Sequence, residues 1–279
     1  MNGDVAKRLS RLVFLGTGTS QGVPVIGCGC DVCRSKDPRD QRLRSSLWVQ
    51  QGETSVVVDT GPDFRHQMLR SGCTRLDAVV YTHEHKDHVA GMDDVRPFNY
   101  RQKQRLPLYA SERVEATLRR DFHYAFHPAS HGGVPHVELR RVAESSPFVI
   151  EGVTWQPLPV MHAELPVHGY LVEDVAYITD ANAIPEATLA LLEGVDTLVL
   201  NALRPQPHYS HFSLEEAVDV AHRVGARQTW FTHVSHLMPR HAEAEANVPS
   251  GMRFAYDGLT LERRDGHWVE VLNPASTGA

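Results

Sequence analysis

Strong charge of either sign is missing from this chain, and so are long apolar runs, a secretory leader and a dense set of cysteines. With 28 Lys and Arg against 34 Asp and Glu, the formal charge is −6 at pH 7. That balance argues against a broad nucleic-acid-binding face and leaves room only for a local basic groove. No apolar stretch reaches the roughly 18 residues that a membrane span needs. Met1 to Ser10 is polar and charged with no apolar segment behind it, so no secretory signal is expected and the cytoplasm is the expected compartment. Four cysteines in 279 residues are too few for a disulfide framework, and three of the four are neighbours. A hydrophobic content of 42% and a charged content of 22% supply a packed core and exclude a disordered chain. Length alone permits one large domain or two small ones. Since no linker, repeat or low-complexity segment divides the chain, a single domain over 1–279 is expected, with its core at about 11–271 and loose tails at Met1–Ser10 and Pro274–Ala279.

Histidine is abundant: there are 17, and several stand where a strand is predicted to end. Strands are expected at Leu12–Leu15, Ser46–Gln50, Ser55–Asp59, Asp77–Thr82, Leu106–Ala110, Phe148–Val160, Tyr170–Thr179 (around an Asp-containing turn), Thr197–Asn201 and Thr229–Thr232. Helices are expected over Asp63–Ser71 with Gly72 as the stop, from the Ser111 cap to about Arg120, and from Pro185 to Leu192. A further helix follows the capping box Ser213-Leu-Glu-Glu216 and stops at Gly225. Val23–Arg44 and the Gly/Pro-punctuated stretch 121–136 read as irregular. Strands with interspersed helices describe an α/β layered domain with its site along one sheet edge.

The segment Tyr81 to Gly91 reads YTHEHKDHVAG, an H-x-H-x-D-H pattern directly after a strand. Three imidazoles and a carboxylate this close are costly to bury without a cation between them. Imidazole with carboxylate suits zinc, manganese or iron better than calcium or magnesium. Alternation sends His83 and His85 one way and leaves Asp87 and His88 in the turn beyond, so one segment can serve two neighbouring metals. Against this stands a solvated polar loop, which does not account for the strand context. A second cluster, Cys28-Gly29-Cys30-Asp31-Val32-Cys33, has zinc spacing and needs a fourth ligand to close a tetrahedron; His236 in THVSH is the candidate. Cys73 stands apart and reads as a buried thiol.

H-x-H-x-D-H resembles the signature of the metallo-β-lactamase superfamily, and the chain carries the remaining motifs of that family in order: Asp59 in SVVVDTG, His162 in PLPVMHAE, Asp180 in AYITDAN and His233 in WFTHVSH. The cysteine loop GTGTSQGVPVIGCGCDVC with THVSH narrows the resemblance to the PhnP-type cyclic phosphodiesterases, over roughly Leu12 to Leu261. The resemblance implies an αββα sandwich of two packed mixed sheets flanked by helices. It implies one divalent metal (manganese, zinc or iron) on His83, His85 and His162, and a second on Asp87, His88 and His233. Asp180 and a hydroxide bridge the two, and Asp59 orients the site. It further implies a structural zinc on the Cys28–Cys33 loop, within 27–34, with His236. His211, two residues ahead of the capping box, matches a general acid of these enzymes, although a surface histidine is the plain alternative and His208 lies nearby.

The implied function is hydrolysis of small, cyclic phosphodiesters, with homodimerisation expected from the relatives alone. Alternatives are a carboxyl-ester, thioester or lactone hydrolase on the same metals, or a metal protein of cofactor biosynthesis like the coenzyme PQQ synthesis protein B, whose signature is degenerate where this one is complete. Arg42, Arg44, Ser45 and Ser46 have the chemistry to bind phosphate but read more simply as a solvated strand edge. His123, Tyr124, His127 and His131 lie in the 121–136 loop, which would cover substrate or make a dimer contact.

Overall fold

In the computed structural model, residues 8–127 and 133–271 are described; His131 and the extreme tails fall outside them. The amino-terminal half supplies β1 (Arg11–Gly16), β2 (Ser46–Gln51), β3 (Thr54–Val58), β4 (Ala78–Val80), β5 (Leu106–Ala110) and β6 (Val137–Arg141). The second half supplies β7 (Phe148–Ile150), β8 (Val153–His162), β9 (Leu165–Val172), β10 (Val175–Ile178), β11 (Thr197–Asn201), β12 (Gln228–Thr232) and β13 (Met252–Phe254), before the chain returns through β14 (Thr260–Arg264) and β15 (His267–Val271). One sheet runs β15-β14-β1-β2-β3-β4-β5-β6, and the other β13-β12-β11-β10-β9-β8-β7. Both are mixed. The β3-β4-β5-β6 and β10-β11-β12-β13 pairings are parallel, and the remaining pairings are antiparallel.

The period of two explains the layering. Leu12, Phe14, Val56, Val58, Ala78 and Val80 face Trp155, Tyr170, Val172 and Val199 of the second sheet in one buried cluster. Their neighbours Val13, Leu15, Val57 and Val79 point outward and pack under α1 (Phe64–Ser71), α2 (Lys86–Val89), α3 (Arg96–Gln102), α4 (Glu112–Asp121) and α5 (His123–Phe126). Leu198, Leu200 and Phe231 do the same on the far face, under α6 (Glu186–Leu191), α7 (Leu214–Val224) and α8 (His241–Ala246). Strands buried on both faces read as continuous apolar runs, which is what SVVV, DAVV and TLVL are. The result is the expected αββα sandwich. No helix among the described residues is long and apolar enough to cross a membrane.

The Ser213–Glu216 capping box forms both of its bonds, and Gly225 closes α7 in the left-handed conformation with φ 67°. Ser111 caps α4 through Val114 N–H, and Gly72 ends α1 at φ 68°.

Four expectations need correcting. The predicted strand Phe148–Val160 is a hairpin, β7 and β8, broken by a left-handed turn at Glu151 and Gly152. Part of 121–136 is helical, as α5. Leu9, placed in a loose tail, is buried and its N–H donates to Glu173 Oε1 at 2.8 Å. Arg42 is neither a solvated edge nor a phosphate ligand: it is buried, its Nη1 donates to Thr17 Oγ1 and Ala255 O, and its Nη2 lies 3.2 Å from His241 Nδ1.

Candidate metal centre

Parallel strands that end at one level of the sandwich bring the site together. Asp59, Asp180 and His233 each stand just past the end of β3, β10 or β12, and each adopts a left-handed backbone with φ of 63°, 54° and 55°. Non-glycine residues pay about 1–3 kcal/mol for that conformation, and its recurrence at three strand ends turns three polar side chains toward one point. The fourth contributor, the segment after β4, coils into α2 so that His88 drops into the interior while His85 stays exposed. His162 arrives at the end of β8.

His83, His88 and His162 are each held through Nδ1 by a group outside the cluster. Asp59, fully buried, takes Thr82 N–H on Oδ1 at 2.9 Å, and Thr82 Oγ1–H and His88 Nδ1 on Oδ2 at 2.8 and 2.7 Å. Thr82 Oγ1 has spent its proton on Asp59, so it accepts from His83 Nδ1 at 3.0 Å. His162 Nδ1 donates to Ser210 O at 2.7 Å. His83, His88 and His162 therefore share a tautomer, proton on Nδ1 and lone pair on Nε2, as metal-ligating histidines with an outer hydrogen-bond partner do.

The donor atoms of His83, His85, His162 and Asp180 lie within 4.8 Å of one another, as do those of His88, Asp180 and His233. Asp180 is common to both groups. Asp87 is outside the second group by that measure, although its Oδ2 lies 3.2 Å from His88 Nε2. The fit to a cation is tested at His88 Nε2, a buried atom with no hydrogen-bond partner, facing Asp87 Oδ2 at 3.2 Å and Asp180 Oδ1 at 3.4 Å. A lone pair against two carboxylates is repulsive unless positive charge intervenes. The electrostatics of the neighbouring groups point the same way. Burial opposes charge on His88, yet Asp180, Asp87 and Asp59 together hold it well above the usual imidazole range. Burial and then His88 drive His83 well below it. Burial also opposes charge on Asp180, but His233, His88 and His211 outweigh it and hold the carboxyl well below its ordinary value.

His211 is mostly buried beside this carboxylate. Its Nε2 lies 3.4 Å from Asp180 Oδ2, its Nδ1 is 3.0 Å from Ser210 Oγ, and its ring stacks on His233 with centroids 5.0 Å apart. Two residues that motif reading missed hold His233: Thr19 Oγ1 at 3.1 Å from Nε2 and Ser45 Oγ at 3.2 Å from Nδ1. Ser46 instead binds the carbonyls of Val58 and Asp59, and Arg44 is engaged by Asp63 and Ser20 O. In the 121–136 stretch, Tyr124 OH donates to Asp93 at 2.6 Å, away from the histidine cluster.

The thiols converge as expected from their spacing. Cys28, Cys30, Cys33 and His236 offer donor atoms all within 4.8 Å of one another, with His236 Nδ1 at 3.3 Å from Cys28 Sγ and 3.6 Å from Cys30 Sγ. The N–H of Cys33 points at Cys30 Sγ and brings that thiol down to about 6, a thiolate at neutral pH, whereas burial pushes Cys33 up to about 11. Thiolate character is what zinc requires. Cys73 is a buried thiol bonded to Arg75 O, remote from this group.

Residues 54–234 match the family model described as the β-lactamase superfamily domain. The chain belongs to the β-lactamase superfamily. Its fold is that of the superfamily, and its His/Asp and Cys/His clusters are grouped closely enough to hold metal ions. It is similar, at 44% identity and TM-score 0.86, to the crystal structure of a diphosphatase from the PhnP family, over 91% of this chain and 97% of that one. It is 31% identical to ribonuclease Z of Mycobacterium sp. strain KMS, over 89% of this chain and 95% of the relative. It is also 38% identical to an octanoyltransferase of Porphyromonas gingivalis strain W83 over 89% of this chain, but spans only 51% of that relative's length.

Proposed function

We propose that this superfamily member is a dinuclear metal-dependent phosphodiesterase acting on small diesters, cyclic ones among them. In this reading His83, His85 and His162 hold one divalent metal and Asp87, His88 and His233 the other, manganese, zinc or iron. Asp180 is shared, and Cys28, Cys30, Cys33 and His236 hold a structural zinc. The observation that carries it is the Asp180 carboxylate, buried and common to two histidine groups. The similarity to a diphosphatase and to ribonucleases supports phosphorus as the atom attacked. When bound, two such cations would supply Lewis acidity and lower the pKa of a water.

The chain's own groups supply orientation and protons. Asp59 fixes His88 directly and His83 through Thr82, and Ser210 O fixes His162, so ligand nitrogens need no reorganisation. His211, anchored at Nδ1 by Ser210 Oγ, directs Nε2 to the Asp180 edge and gives its proton to the departing oxygen.

A second reading, hydrolysis of an octanoyl thioester, is favoured by one observation, the octanoyltransferase relative of which this chain spans about half. A panel of bis-p-nitrophenyl phosphate, a nucleoside 2′,3′-cyclic phosphate, a dinucleoside diphosphate and an octanoyl thioester, run with each metal, separates the two. Turnover of the phosphorus substrates is expected. Turnover of the thioester alone overturns the phosphodiesterase reading.

A further inference from the structure

Helices α1 and α3, on the outer face of the first sheet, form the walls of a cleft of about 870 Å³ that none of the metal-site residues lines. The two helices meet at Phe64 and Phe98, whose ring centroids lie 6.4 Å apart, and buried Met68, Phe98 and Cys73 make an apolar floor. The helical period then sets one arginine and one apolar side chain a turn apart on each wall: Arg65 with Leu69 on α1, and Arg101 with Pro97 on α3. Tyr100 stands beside Arg101. Leu69 and Tyr100 are 65% and 62% exposed. A single exposed leucine means little, but two large apolar side chains over one apolar floor form the kind of patch that marks a contact surface.

The charge around this cleft is as unusual as its apolar lining. Neighbouring arginines are committed, Arg70 to Asp257, Arg75 to Asp77 and Arg96 to Asp93. Arg65 and Arg101 are exposed and make no side-chain hydrogen bond or ion pair among the described residues. Tyr100 also borders an adjoining recess of about 360 Å³, where Lys103 and Arg105 are exposed and equally unpaired. Against these four cations the cleft is lined by a single carboxylate, Asp94, in a chain whose formal charge is −6. The occupant must therefore be acidic at its edges and apolar along one side. A flat bilayer cannot follow the floor down between two helices. A nucleic-acid strand would answer the cations but leave Leu69 and the floor uncovered. A second copy docked through the same face by a two-fold axis would set like charges against each other. A third helix with an apolar stripe flanked by carboxylates meets every requirement.

We propose that the α1–α3 cleft is a docking site for an acidic amphipathic helix of a partner protein. Its apolar side chains seat between Leu69 and Tyr100, and its carboxylates meet Arg65, Arg101, Lys103 and Arg105. The proposal is independent of the reaction assigned to the metal centre.

The probe is a fluorescein-labelled helical peptide of about four turns, with leucine on one face and glutamate on its flanks. Its binding to the full metal-loaded chain is read by anisotropy at physiological salt. Saturable binding is expected. The double variant Arg65→Glu with Arg101→Glu, and separately Leu69→Ser with Tyr100→Ser, should each weaken it by about tenfold or more. All four positions are exposed, so both variants should keep the circular dichroism and Tm of the parent. A peptide with lysine in place of glutamate should fail to bind the parent and bind the charge-reversed variant instead. No saturable binding by the parent, equal affinity for the two peptides, or affinity unchanged in both double variants overturns the proposal. Oligouridylate or phosphatidylglycerol vesicles that bind the parent more tightly than the glutamate peptide, and lose binding in the same variants, assign the face to nucleic acid or membrane and overturn it. Self-association of the parent in ultracentrifugation, abolished by the same variants, assigns the face to a second copy and also overturns it.

Discussion

Replacing Asp59 by asparagine isolates the role of one buried carboxylate. Asparagine keeps the size of aspartate and tolerates φ 63°, so backbone strain stays nearly constant. What changes is the donor count. Both carboxylate oxygens accept, from Thr82 N–H, Thr82 Oγ1–H and His88 Nδ1–H, at 2.9, 2.8 and 2.7 Å. An amide must turn an NH2 toward either the Thr82 N–H or His88 Nδ1, and either choice sets donor against donor. If His88 yields, its proton moves to Nε2 and blocks the atom that faces Asp87 and Asp180. Loss of such an outer partner typically costs 10–100-fold in metal affinity or activity. Asp59→Asn should lose about that factor in metal affinity, measured by competition with a chromogenic chelator, and a similar factor in kcat/KM at limiting metal, with saturating metal restoring part of the rate. Wild-type metal affinity with a kcat/KM within twofold of the parent would refute the claim that Asp59 sets the histidine tautomers.

Cys30→Ser should lower the zinc content by one atom per chain and destabilise the fold, since metal binding at such sites is coupled to folding; unchanged zinc by elemental analysis contradicts the Cys28, Cys30, Cys33 and His236 assignment. His211→Ala should lose roughly 10²–10⁴-fold on an alkyl or cyclic diester, whose alkoxide needs a proton, and much less on bis-p-nitrophenyl phosphate. Equal losses on both substrates would reassign His211 to binding, and loss of metal would make it a ligand. His241 predicts a pH effect on stability. Burial, with Arg42 and Arg39 adding to it, lowers the imidazole to about 3, so below the unfolded value of 6.5 the unfolded chain takes up a proton that the folded chain refuses. Stability should therefore fall as pH drops from about 6.5 toward 3, by up to roughly 1 kcal/mol per unit, and His241→Gln should flatten that slope in denaturant titrations. An unchanged slope would count against the buried neutral ring.

Local signals made the scaffold legible. Apolar runs such as SVVV located buried strands, and the Ser213–Glu216 box with Gly225 located α7. The histidines that cluster were legible because their segments stand at or just after strand ends. Partners distant in sequence were not. Thr19 and Ser45 reach His233 across 214 and 188 residues, and nothing in their local sequence points to that histidine. Arg42 resembles a surface cation until the fold closes over it and supplies Thr17, Ala255 and His241 as partners. The left-handed backbone of Asp59, Asp180 and His233 left no mark either, since β-branched runs ahead of them signal only the strand.

The central claim, one carboxylate serving two metals, is tested most directly by Asp180→Ala. Elemental analysis and turnover of bis-p-nitrophenyl phosphate should be compared with the parent on protein folded in excess metal and then desalted. The catalytic metals should be lost along with nearly all turnover while the thiol-bound zinc remains. Retention of the full metal complement with a near-normal rate would contradict it.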